Sequence, residues 1–394
     1  MPMTIGEDDV TIISAPRLLV GTRLTGPGAV VVEDGLIIEV IEGRPAPGRR
    51  HVALPDGVLS PGLIDLQING CLGVDFAAAT PAEWQAVCAA LPAHGVTAFQ
   101  PTIITGPIPQ LVSAIRRFAE VRPKLDGAGA KPVGMHVEGP FISPERPGVH
   151  DPRHMCHPTP ENLEPLLAEQ STITMITLAP ELPEALPAIA RLTAAGIRVA
   201  IGHSDALAHQ VQQAVDAGAR MVTHIFNAQR GISHREPGVA GQALVEPRLA
   251  VGLIADFHHV APQICALVLT AAPGRVCLVT DAVAPAGMPP GTYTLGGRPI
   301  RLAPGDPLAR NFDGTIAGAA TFLDQHVRNL IGLGRPAEEV LRAATTTPAD
   351  VLGRTDLGRL APGVSADLVW WSDEFTPLQT WVNGQEVYRA PSVI

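Results

Sequence analysis

The chain has 394 residues, a formal net charge of −10, 46% hydrophobic and only 17% charged residues. It can bury a large core and reads as one barrel-sized domain plus a smaller one, not as a disordered chain. The acidity, the lack of any Lys/Arg run longer than a pair, and the restriction of lysine to Lys124 and Lys131 exclude a general nucleic-acid surface and leave anion binding to Arg, His or backbone N–H groups.

Cys71, Cys88, Cys156, Cys265 and Cys277 form no C-x-x-C pair, which argues against a disulfide framework and a cysteine zinc site. Met1 to Asp9 is acidic and has no apolar leader, and no apolar run approaches the ~20 residues that span a bilayer, so no membrane association and a cytoplasmic location are expected.

Residues 1–60 read as the first part of a small β-domain. Thr11-Ile12-Ile13, Ala29–Val32 and Leu36–Val40 are β-like runs, with Glu33-Asp34-Gly35 as a hairpin turn, and they predict an antiparallel layer. A Pro/Gly/Arg-rich link, Gly43–Arg50, leads to Val52–Pro55 and Val58–Gly62.

Over residues 61–355 strand and helix patterns alternate. Strands are predicted at Leu63–Gln67, Val96–Pro101, Pro132–Glu138, Thr172–Ala179, Ile197–Gly202, Arg220–Thr223, Leu249–Ile254 and Val276–Thr280. Helices are predicted at Pro81–Ala93, Pro107–Val121, Glu181–Ala195, Asp205–Gly218 and Ala261–Ala271. Eight such repeats fit a TIM-like (β/α)8 barrel, which gathers functional residues at the carboxyl ends of its strands.

Gly287–Gly318 breaks the rhythm and predicts an inserted hairpin, after which Ala319–Leu333 and Ala337–Ala344 read as closing helices. Residues 356–394 return to strand, with Gly363–Trp371 and a hairpin over Leu378–Tyr388 about Asn383-Gly384. The fold class expected is therefore α/β, a (β/α)8 barrel beside a small β-sandwich domain built from both termini.

The predicted strands end in polar residues after apolar runs: Gln67 and Asn69, Gln100, Glu138, His203, His224, Asp256 and Asp281. Glu138, His203 and His224 offer one O and two N donors, the set of a catalytic zinc site that keeps a position for water. Asp281 is the expected general base, and His150, in the Pro/Gly-rich loop after Glu138, is placed to polarise a scissile carbonyl. His154 and His157 read as surface residues. Asn227, Ala228 and Arg235, with Gly238 and Gly241, suit an anion held without lysine. One of His258 and His259 is expected to face the site.

The motifs Pro61–Gly70, His136-Val137-Glu138-Gly139-Pro140, Gly202-His203-Ser204, Thr223–Ala228, Arg235-Glu236-Pro237-Gly238 and Val279-Thr280-Asp281-Ala282 occur in an order and spacing that resemble the amidohydrolase superfamily. Within it the chain resembles the N-acetylglucosamine-6-phosphate deacetylase family over essentially its whole length. The resemblance implies hydrolysis of the acetamide of N-acetylglucosamine 6-phosphate to glucosamine 6-phosphate and acetate.

By motif it assigns Glu138, His203 and His224 to one divalent ion per subunit, with Zn2+ expected and Fe2+, Mn2+ or Co2+ compatible with the same donors. Asp281 matches the general base, His150 the carbonyl-holding histidine, and Asn227, Ala228 and Arg235 the phosphate and sugar contacts. His259 matches a histidine donated across the interface of a homodimer. Two departures stand out: Gln67-Ile68-Asn69 replaces the His-x-His that binds a second metal in many relatives, and Gly318-Ala319 stands where close relatives place a serine. N-acetylgalactosamine 6-phosphate as substrate, a different amidohydrolase activity, and a non-catalytic sugar-phosphate binder are the alternatives.

Overall fold

The computed structural model describes residues 10–44, 50–125, 127, 129–391 and 393; Met1 to Asp9 and the middle of the Gly43–Arg50 link lie outside the described residues. Eight parallel strands form the barrel: β1 Leu63–Ile68, β2 Val96–Ile104, β3 Met135–Glu138, β4 Ile173–Leu178, β5 Arg198–Ile201, β6 Met221–Val222, β7 Ala250–Leu253 and β8 Val276–Leu278. Each pairs in parallel with the next. β8 closes on β1 where the Asp281 N–H donates to Gln67 O at 2.8 Å and the Asn69 N–H to Ala282 O at 2.7 Å. Helices cover the outer face, so these strands are apolar runs with almost every residue buried.

The observed strands are mostly shorter than their apolar runs, because Thr223, Val279 and Thr280 are buried beyond the ladder, where the chain turns into the mouth. β2 is longer than expected and reaches Ile104. The predicted strand Pro132–Glu138 is split into Lys131–Pro132 and β3. At the break Gly134 has φ +127° and a Cβ there would lie 2.3 Å from Thr174 Cγ2, so only glycine fits.

The crossover helix Ile108–Val121 buries Leu111, Ala114, Ile115, Phe118 and Val121, the stripe of an amphipathic helix. Ala208–Ala217 buries Val211, Ala214 and Val215 and ends at Gly218, φ +124°, as the sequence predicts. Gly238–Val245 is a helix as well, although Gly238 and Gly241 read as an anion-binding loop.

The chain ends form two sheets. One orders Leu36–Glu42, Gly28–Glu33, Thr11–Ala15 and Arg50–Ala53; the other orders Gln385–Arg389, Pro377–Val382, Leu368–Trp371, Val58–Pro61, Leu18–Val20 and Arg23–Thr25. They are not purely antiparallel as expected, since Thr11–Ala15 pairs in parallel with Arg50–Ala53, and Leu18 with Leu59. Strand Leu368–Trp371 alternates: Leu368 and Trp370 fill the core between the sheets, whereas Val369 and Trp371 pack on the barrel core. That period of two docks the sandwich against the barrel.

The insertion is larger than one hairpin. Gly291–Leu295, Arg298–Leu302, Leu308–Arg310 and Ile316–Ala319 pair antiparallel in chain order. Leu295, Ile300, Ala309 and Ala317 cluster with Ile104, Val149 and Val283, which seats this sheet over the barrel mouth. Among the described residues no helix is long and apolar enough to cross a membrane.

Candidate metal and active site

Glu138 is the last residue of β3, and His203, His224 and Asp281 follow β5, β6 and β8 by two or three residues. The last three have φ of +47°, +23° and +52°. Such left-handed backbone costs a non-glycine residue on the order of 1–3 kcal/mol and persists where the surroundings impose it. Here it turns the chain off the strand, and the turn is held by backbone bonds such as Ser143 N–H to His203 O at 2.8 Å and Ala319 N–H to Asp281 O at 3.0 Å.

Glu138, His203 and His224 meet in one buried cluster, with half-buried Asp281 beside it. Glu138 Oε1 lies 2.8 Å from His224 Nε2, 3.3 Å from His203 Nε2 and 3.1 Å from Gln67 Nε2, while His150 Nε2 lies 3.9 Å from Glu138 Oε2. The donor atoms of Glu138, His150 and His203 all fall within 4.8 Å of one another, so by distance alone His150 competes with His224 as a third ligand.

Tautomers decide between them. His203 Nδ1 sits 3.0 Å from the Arg146 carbonyl, which can only accept, so Nδ1 keeps a proton and Nε2, facing Glu138, is the nitrogen that can ligate an ion. His150 Nδ1 receives the Thr105 backbone N–H at 3.3 Å and lies 2.8 Å from Thr105 Oγ1. An N–H can only donate, so His150 carries its proton on Nε2 and presents a donor, which suits a substrate oxygen and not an ion.

The chemistry of the remaining donors fits a cation. Burial alone would raise the Glu138 carboxyl, but the facing His203 and His224 outweigh it and hold it well below the usual range. Burial pulls His224 down, yet its hydrogen bond to Glu138 and the charges of Glu138 and Asp281 lift it to about 9. A pair that retains a proton so strongly is one where a divalent ion could take the proton's place. His224 Nδ1 has no hydrogen-bond partner among the described residues. Burial, then the charge of His203, keeps His150 neutral, with its pKa well below 6.5.

Asp281 faces this cluster. Asn69 Nδ2 donates to its Oδ1 at 2.7 Å and Gln67 Nε2 at 3.2 Å, so the amides that replace His-x-His hold the carboxylate. Burial, then the charge of Glu138, pushes Asp281 up to about 6. Such a group exchanges protons near neutrality.

A cavity of about 380 Å3 opens on these residues, walled by Gly148, Val149 and His150 on one side, Thr315 to Gly318 of the inserted sheet on another, and Asn227, Ala228 and His259 on a third. The His259 ring is 3% exposed and lines this chain's own cavity. Asp256 Oδ2 holds its Nδ1 at 2.5 Å. Burial acts to raise Asp256, but His259 outweighs it and keeps it at about 2, so Nδ1–H donates and the unpartnered Nε2 is an acceptor.

Arg235 is exposed on the segment before the Gly238–Val245 helix and does not line the cavity. Glu236 is not its partner, since Glu236 Oε1 accepts from Ala208 N–H at 2.8 Å and Gly238 N–H at 3.0 Å. Sequence reasoning missed Arg146, an arginine that does line the cavity, and named Asp256 as a strand-end residue without seeing that it anchors His259. A strand-end carboxylate three residues before a histidine was the available signal for the second. His154 lies at a second surface cavity, His258 is exposed, and Gln100, bonded to Thr174 Oγ1 at 2.6 Å, belongs to the barrel interior.

Known proteins are similar to this chain over nearly its whole length. The profile of the amidohydrolase family matches residues 58–387. The N-acetylglucosamine-6-phosphate deacetylase of Vibrio furnissii is 36% identical over 383 residues, 95% of this chain and 94% of that protein. The N-acetylgalactosamine-6-phosphate deacetylase of Escherichia coli is 34% identical over 377 residues, 95% of this chain and 98% of that protein. The structure of N-acetyl-D-glucosamine-6-phosphate deacetylase from Mycobacterium smegmatis in complex with N-acetyl-D-glucosamine-6-phosphate superposes with a TM-score of 0.89 at 33% identity, covering 96% of this chain and 99% of that one.

Proposed function

The chain belongs to the amidohydrolase family, in the branch of the N-acetylglucosamine-6-phosphate deacetylases, and from that premise we propose that it hydrolyses the acetamide of N-acetylglucosamine 6-phosphate to glucosamine 6-phosphate and acetate. The observation that carries the reading is the convergence of His203 and His224 on one Glu138 carboxylate oxygen beside Asp281, in a cavity of sugar size.

Glu138, His203 and His224 would hold one divalent ion, with zinc the expected one among those these donors accept, and it would supply Lewis acidity to a carbonyl and lower the pKa of water. Asp281 Oδ takes the proton from the attacking water and returns it to the leaving amine, while Gln67 and Asn69 keep the carboxylate oriented. His150 Nε2–H donates to the carbonyl oxygen as charge builds there. His259 Nε2 accepts from a sugar hydroxyl, and Asn227 and Ala228 contact the sugar phosphate.

Residues 61–355 are the catalytic unit, with residues 1–60 and 356–394 as the small β-domain. The working form is a cytoplasmic homodimer, and with His259 committed to its own cavity, the exposed Arg235 is the residue free to reach the partner's phosphate site.

Acetate release from purified protein, stripped of metal and then reloaded with zinc, tests the reading. Release from N-acetylglucosamine 6-phosphate only after reloading supports it, and no release under either condition refutes it. The relative from Escherichia coli favours one second reading, N-acetylgalactosamine 6-phosphate as substrate, and the ratio of kcat/KM for the two epimers decides it.

A further inference from the structure

Three loops at the barrel mouth are joined by one carboxylate that lies outside the cavity. Asp205, two residues past His203, accepts on Oδ1 from Arg146 Nε at 2.8 Å and Nη2 at 2.7 Å, and on Oδ2 from Arg230 Nη2. Arg230 Nε also donates to Asp205 O at 2.7 Å. Arg146 lies on the loop after β3 that carries His150, and Arg230 on the loop after β6 that carries Asn227 and Ala228. Glu181 secures the arrangement from behind, accepting the Asp205 N–H at 2.6 Å and Ser204 Oγ at 2.7 Å. The arginine gripped by Asp205 is the one whose carbonyl accepts from His203 Nδ1.

We propose that Asp205 is a positioning residue of the metal centre: by clamping Arg146 and Arg230 it holds the Arg146 carbonyl against His203 Nδ1, so that His203 Nε2 stays aimed at Glu138. Asp205 touches no reacting group. Partners that orient a ligating imidazole govern metal affinity although they never meet the ion. An ordinary ion pair at this exposure, 20% for the Asp205 side chain, contributes little and leaves metal binding alone. The inference rests on the metal reading proposed above.

The test is zinc affinity of the metal-stripped full chain, by competition with a chromophoric chelator, with no substrate present. Asp205→Asn and Arg146→Ala should each weaken binding about 10- to 100-fold. The double variant should be no weaker than the weaker single one, because both remove one clamp. Asp205→Glu should recover part of the loss. Asp356→Asn breaks the exposed Arg354–Asp356 pair, 2.6 Å long and far along the chain, and should leave the affinity unchanged. If Asp205→Asn does not fold, Arg146→Ala carries the test, since its backbone carbonyl remains. Affinity within about twofold of the parent in both single variants overturns the proposal. A parent protein that binds no zinc overturns the metal reading instead.

Discussion

The proton on His224 gives a quantitative handle on the metal centre. In the metal-free chain the pKa of His224 stands at about 9, because the adjoining Glu138 outweighs burial. An imidazole must lose its proton to ligate, so zinc competes with that proton at every pH below about 9. Apparent zinc affinity should therefore rise close to tenfold per pH unit, which is about 100-fold or ~2.7 kcal/mol between pH ~6.5 and ~8.5, and then level off.

Stability of the metal-free protein runs the other way. A histidine whose folded pKa is raised contributes stability that is complete below its unfolded pKa of 6.5 and is lost as pH climbs through about 9. The assay is chelator competition across that range, paired with calorimetry in buffers of different ionisation enthalpy, which should register about one proton released per zinc at pH ~7.5. In His224→Asn the slope should collapse. A nearly flat affinity in the parent protein would refute the reasoning, because the Glu138–His224 pair would then not be exchanging a proton for the ion.

Two further outcomes follow from the geometry and a third from the proposed function. His150→Ala should keep zinc affinity within about threefold while kcat falls on the order of 10²–10³-fold, read by metal titration and steady-state kinetics; a loss of affinity matching that of His203→Ala would make His150 a ligand. Gly318→Ala places a Cβ 2.5 Å from Asp281 O and 2.6 Å from Val283 Cγ1, so unfolding in urea should show a loss of about 1–3 kcal/mol with reduced kcat, and an unchanged midpoint would contradict the packing. Arg235→Ala should raise KM for the phosphorylated sugar about tenfold or more with kcat little changed; an unmoved KM removes Arg235 from substrate binding.

Much of this was legible because a buried parallel strand is a run of mostly apolar residues, and the polar residue at or just past its carboxyl end marks the mouth. That logic located Glu138, His203, His224 and Asp281, whose side chains the fold does bring together. It overextended most strand ends, since residues such as Thr223 and Val279 stay buried after leaving the ladder. Two strands of the insertion, Leu308–Arg310 and Ile316–Ala319, are too short to display alternation around the Asn311–Gly314 turn. The partnerships of His259 with Asp256 and of Arg146 with Asp205 depend on how loops fold onto one another, and spacing along the chain carries little trace of the second, 59 residues apart.

The chemistry rests on a carboxylate acting beside the ion without binding it. Turnover per bound zinc in Asp281→Asn measures that division of labour directly. The account predicts one zinc per chain, held with affinity close to the parent's, and acetate release from N-acetylglucosamine 6-phosphate reduced at least about 10²-fold. Parent-like release from the zinc-loaded variant would contradict it.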